Sequence, residues 1–144
     1  MLGHLHALYM KNLLIIFSLA LYLSACTTVP YSTPQEHAAA KTFATKPGVA
    51  NLYLYRDNRL AGVAVGWDVT LDGRMLGLLT AQSYMLREVP PGKHVLFRTQ
   101  SIHPLELTPG RNYFVRVGAR SFEQVPDSEG RRIIPKLKRV DTPF

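Results

Sequence analysis

The chain has 144 residues, 47% hydrophobic and 19% charged, with a formal net charge of +7. That length sets one domain as the starting point, and that composition excludes an intrinsically disordered chain. A single cysteine, Cys26, excludes a disulfide framework and a cysteine-rich metal site.

Residues 1–25 read as an export signal. Met10-Lys11-Asn12 forms a short basic start, which makes Met10 a candidate initiator beside Met1. The apolar run Leu13 to Leu23 is short for a bilayer span but suits the h-region of a signal peptide. It ends in Leu23-Ser24-Ala25-Cys26, which resembles the lipobox of bacterial lipoproteins. The resemblance implies cleavage between Ala25 and Cys26, a diacylglyceryl group on the Cys26 thiol, and acylation of the new amino terminus, with palmitate among the acyl chains. Three chains exceed the two signals needed for stable anchoring. Thr27 stands where an Asp would mark inner-membrane retention, so the resemblance points to the outer membrane, facing the periplasm.

Residues 26–47 are expected to be a lipidated tether, rich in Thr, Pro and Ala and too poor in large apolar groups to build a core. As a flexible coil, its twenty residues would span roughly 25 Å. Within it, Thr33-Pro34-Gln35-Glu36 has the spacing of a capping box and predicts one short helix.

Residues 48–144 are expected to fold as an all-β domain, an antiparallel β-sandwich of about seven short strands. Val49 to Arg56 is the first strand. Val63, Val65, Trp67, Val69 and Leu71 alternate with polar or small residues and predict a half-buried second strand, with Trp67 in the core. Asp72-Gly73 predicts a primed hairpin turn, and Pro91-Gly92 and Thr108-Pro109-Gly110 predict two further corners. Arg74–Leu79, Tyr84–Val89, Lys93–Thr99 and Arg111–Val117 supply the strands between them. Pro126 to Gly130 reads as a turn, Ile133-Ile134-Pro135 as an edge strand, and Lys136 to Arg139 as a basic surface tail.

The pieces Leu52-Tyr53-Leu54-Tyr55-Arg56, Leu71-Asp72-Gly73 with Gly77, Tyr84, Pro91-Gly92-Lys93-His94 and Pro109 to Phe114 carry a resemblance to small bacterial lipoproteins with an uncharacterised domain of unknown function. More loosely, they resemble PEGA-type and prealbumin-like sandwich domains. The resemblance brings no catalytic residues.

No nucleophile elbow, zinc-binding helix motif, phosphate-cradling loop or cysteine pair is present in the sequence, so neither an enzyme nor a cofactor or metal site is expected. His94 and His103, with Asp68 or Asp72, are the residues from which an acid–base or metal set could be imagined. Tyr53 and Tyr55 could form a stacking platform for sugar rings, with Arg56 reaching an acidic group. The expected role is a structural or protein-interaction module of the cell envelope, held to the membrane by its lipid and meeting an envelope protein or cell-wall partner. A carbohydrate- or peptide-binding module is the alternative, and a periplasmic hydrolase the third. Loss of Lys11 with the signal leaves 16 basic against 10 acidic residues. Export argues against nucleic acid as their partner.

Overall fold

A computed structural model describes residues 30–57 and 65–141. The signal segment, Cys26 and residues 58–64 lie outside the described residues. The described chain forms α1 (Pro34–Ala40), β1 (Ala50–Arg56), β2 (Trp67–Leu71), β3 (Arg74–Leu79), β4 (Ser83–Val89), β5 (Gly92–Arg98), β6 (Ser101–Leu107), β7 (Asn112–Val117), β8 (Phe122–Val125), α2 (Asp127–Ile133), a 3₁₀ turn (Ile134–Lys136) and β9 (Lys138–Arg139). Five strands form one sheet in the order β8-β7-β1-β4-β9, and four form a second in the order β3-β2-β5-β6. The expected sandwich is present, with nine strands among the described residues rather than about seven. Two pairings, β1 with β7 and β4 with β9, are parallel.

The turn chemistry explains most corners. Asp72 and Gly73 both adopt positive φ, 51° and 78°, as the β2–β3 hairpin requires. Gly110, at φ 71°, turns the chain from β6 in one sheet to β7 in the other. Gly92 also takes positive φ, but at 131° it opens β5 in a bend that carries the chain between sheets rather than in a type II turn.

Two apolar layers hold the domain together. Between the sheets lie Leu52 and Leu54 of β1, Trp67, Val69 and Leu71 of β2, Leu96, Leu105, and Val115. On the other side of the five-stranded sheet, Tyr53, Tyr55, Tyr84 and Phe114 are covered by α1, α2 and the 3₁₀ turn. Hence β1 is buried along its entire length.

Three expectations are corrected by that second layer. The span taken as a flexible tether is packed from Tyr31 onward: Tyr31 bridges Val140, Ala40 is buried, and Phe43 packs against Tyr53 and Phe114. The capping box itself is formed, Glu36 N donating to Thr33 Oγ1 at 3.3 Å and Thr33 N to Glu36 Oε2 at 2.9 Å. The supposed turn and edge strand from Pro126 to Pro135 are instead α2 and the 3₁₀ turn, whose Ile133 and Ile134 close this layer. The supposed surface tail supplies β9, which pairs with β4.

Candidate functional site

Among the described residues, the four-stranded sheet is covered on one side only. Period-two alternation sends Trp67, Val69, Leu71 and Leu96 inward, which leaves the opposite side chains of the same strands to solvent. Those side chains are unusually apolar. Met75 of β3 is 40% exposed, Val95 and Phe97 of β5 are each 43% exposed, and Ile102 of β6 is 69% exposed. Register brings them together: Met75 is opposite Thr70, Thr70 opposite Phe97, Phe97 opposite Ile102, and Val95 opposite Pro104. Thr70 Oγ1 donates to Phe97 O at 3.2 Å and fixes that crossing. A charged pair, Lys93 opposite Glu106, borders the strip. Single exposed apolar residues need no explanation, but a contiguous strip bordered by charge is the pattern of a contact surface. Pro104 gives the edge strand β6 one ladder donor fewer, so the edge is a poorer template for strand addition than the face is for side-chain contact.

At the hairpin end of this sheet His94 and Asp72 meet. His94 Nδ1 lies 2.6 Å from Asp72 Oδ2 and Nε2 lies 2.8 Å from Pro90 O, so both ring nitrogens face acceptors. Donation to Asp72 raises the His94 pKa, and the same bond, helped by Val95 N, lowers that of Asp72. The pair ties β5 to the β2–β3 turn. Asp68 faces outward on β2, and His103 faces inward near Phe122, 6.0 Å between centroids, so the imagined four-residue set does not assemble. Among the described residues no three His, Cys, Asp or Glu side chains come together to hold a metal.

The residues named for a stacking platform are inside. Tyr53 and Tyr55 are wholly buried; Tyr53 stacks on Phe114 at 4.9 Å and donates its hydroxyl to Ala40 O at 2.8 Å. Burial raises both tyrosine pKa values, as it does that of Tyr84, pushed up to about 12. Arg56 is also buried, and its guanidinium lies 3.7 Å from the centre of the Trp67 ring while Nη1 donates to Val65 O at 2.9 Å. Burial, and then the nearby Arg98, depress its pKa. Arg98 shares the indole at 4.4 Å. All of these rings are buried, Tyr53 and Tyr55 under the helices and Trp67 between the sheets. Trp67 is a core residue, as its alternation predicts.

Clefts lined by described residues lie on the helical side. One, of about 360 Å³, is lined by Tyr31, Ser32, Pro34, His37, Lys138 and Arg139. A second, of about 490 Å³, runs between the chain after α1 and strand β4, with Lys46 and Glu88 paired at 2.7 Å among its lining.

Residues 46–130 match the family described as "Protein of unknown function (DUF2846)". A protein of Haemophilus influenzae strain Rd, described as "Uncharacterized protein", is 32% identical over 135 residues, which cover 85% of this chain and 80% of the relative. No solved structure matches the chain.

Proposed function

We propose, for a chain that belongs to the DUF2846 family of proteins of unknown function, a role as a lipid-anchored interaction module of the bacterial envelope, held at the periplasmic face of the outer membrane and presenting its open sheet to a protein partner. The anchor rests on Leu23-Ser24-Ala25-Cys26, followed by Thr27 rather than Asp. The resemblance to PEGA-type sandwich domains rests on turn and strand residues, and the two-sheet architecture is compatible with it. Among the described residues no helix is long and apolar enough to cross a membrane.

The observation that carries the interaction reading is the strip of Met75, Val95, Phe97 and Ile102, exposed on the only broad face that neither sheet nor helix covers among the described residues. An aromatic and two β-branched residues on rigid strands lose little conformational freedom on contact, which favours association. A photo-crosslinking residue at position 102 of the full chain tests it in cells. A stoichiometric protein adduct that Phe97→Asp weakens by at least about tenfold supports the module, provided the variant melts as the parent does. Adducts with cell-wall fragments, with a second copy of the chain, or with nothing overturn it.

A further inference from the structure

The described chain begins against the sheet. Asp141 N donates to Pro30 O at 3.1 Å, Tyr31 bridges Val140, and Ser32 N donates to Arg139 O at 3.2 Å. Beginning and end of the described fold therefore meet at the β9 edge of the five-stranded sheet. Tyr31 there is 56% exposed, with Lys138 Nζ 5.5 Å from the centre of its ring. The 360 Å³ cleft opens beside it, and Lys136 stands two residues before Lys138.

We propose that this edge is a membrane-contact face: the domain rests it on the headgroups of the leaflet holding its own anchor, and the cleft beside Tyr31 receives an anionic lipid headgroup. The proposal rests on the reading of Cys26 as lipidated. Five residue steps separate Cys26 from Tyr31, at most about 18 Å of fully extended chain. The headgroup layer is itself several ångströms thick, so so short a connection leaves Tyr31 at or near it. The chemistry suits that position. An exposed tyrosine has an apolar ring and a wet hydroxyl, and a lysine beside it can lay its stem along the ring while its ammonium meets phosphate. Lys136 and Lys138 are exposed, and neither forms an ion pair among the described residues. The nearby carboxylates are already engaged: Asp141 with Arg87 at 3.7 Å and Arg139 at 3.4 Å, Glu36 with the Thr33 cap. Clustered cations near an anionic surface are attracted to it and lose that attraction in salt. The strip's Phe97 and Ile102 belong to β5 and β6 of the other sheet, where β6 lies against β8 at the edge opposite β9, so membrane contact at β9 leaves them free.

The test uses the mature acylated protein, reconstituted in vesicles and treated briefly with an amine-acetylating reagent, with each lysine read by mass spectrometry. On vesicles containing phosphatidylglycerol, acetylation of Lys136 and Lys138 should slow by at least about threefold relative to detergent, in a salt-dependent way, while Lys93 on the other sheet is unchanged. Tyr31→Ser should lessen the protection. Equal labelling of Lys138 and Lys93 on those vesicles overturns the proposal. Equal protection by inorganic phosphate without lipid overturns it in favour of a free-phosphate site. The same spectra report Cys26: an unmodified thiol sinks the lipoprotein reading itself, whereas an acylated Cys26 with unprotected lysines sinks this inference alone.

Discussion

Gly130 lies in the middle of α2, where helix propensity alone predicts that alanine stabilises by about 1 kcal/mol. The structure reverses the sign. A β-carbon at Gly130 would stand 2.1 Å from Cγ of Phe114 and 2.4 and 2.5 Å from its two Cδ atoms. Carbon atoms pack at about 3.5 Å or more, so helix and ring would have to part by over about 1 Å. The ring has nowhere to go: Phe114 is 1% exposed, stacked on Tyr53 at 4.9 Å and edge-on to Phe43 at 5.8 Å. Overpacking of this kind costs about 1–3 kcal/mol, and a displaced α2 also loosens the burial of Ile133 and Ile134. A 2.1 Å approach to a ring packed against Tyr53 and Phe43 puts the cost at the upper end, about 3 kcal/mol, and subtracting the propensity gain of about 1 kcal/mol leaves an expected destabilisation of about 2 kcal/mol for Gly130→Ala. With a urea m-value of about 1–2 kcal/mol/M, the unfolding midpoint of a soluble chain starting at Pro30 should fall by about 1–2 M. Ser128→Ala, exposed on the same helix, should move it little. A midpoint for Gly130→Ala at or above the parent's would refute the packing of α2 on Phe114.

Cys26→Ala should abolish acyl labelling and halt lipoprotein processing, and unchanged labelling would remove the anchor. Gly73→Val should destabilise by more than about 1 kcal/mol, because a β-branched residue resists the observed φ of 78°; an unaltered melting curve would mean that the turn tolerates it. His94 has a raised pKa, so its contribution to stability is complete below the unfolded value near 6.5 and disappears as pH rises through the higher folded value. Urea titrations from about pH 6 upward should show that loss in the parent and a flatter curve in His94→Gln; parallel curves would show that the Asp72 contact contributes nothing. Asp72, with its pKa lowered, contributes above its unfolded value and loses that contribution in acid.

The sequence was most legible where a local rule decides the outcome. Asp72-Gly73, the capping box at Thr33 and the alternation from Trp67 to Leu71 each depend on residues a few positions apart, and each is present as expected. Val65, read onto the same inward face, lies ahead of β2 and is 60% exposed, and Val63 lies outside the described residues. What escaped depends on distant packing. Tyr53 and Tyr55 are no stacking platform because β1 is covered on both sides, which only the positions of α1 and α2 reveal. Gly130 looked like a turn residue, yet it is glycine to admit the Phe114 ring, a reason that lies sixteen positions away. Pro104 hid β6, since a proline in a run of alternating residues reads as a break until the run is seen to be an edge. The exposed apolar strip combines Met75, Val95, Phe97 and Ile102 from three strands, so no single run of residues contained it.

The closure of the sheet at Tyr31 and Val140 also sets an order of events. Ser32 and Arg139 are 107 positions apart, and β1 finds its parallel neighbour only in β7. Such long-range pairings bear a large loop-closure entropy before they yield any contact, so high contact order slows folding. A chain exported through a narrow channel from its amino end would deliver β9 last, and until then β4 would lack its edge partner and α1 the segment that holds its start. On the emerging side, closure of that edge would then wait for the last strand. The topology thus makes the last described residues the clasp of the fold: until Lys138 to Val140 are in place, neither the β4 edge nor the start of α1 is held.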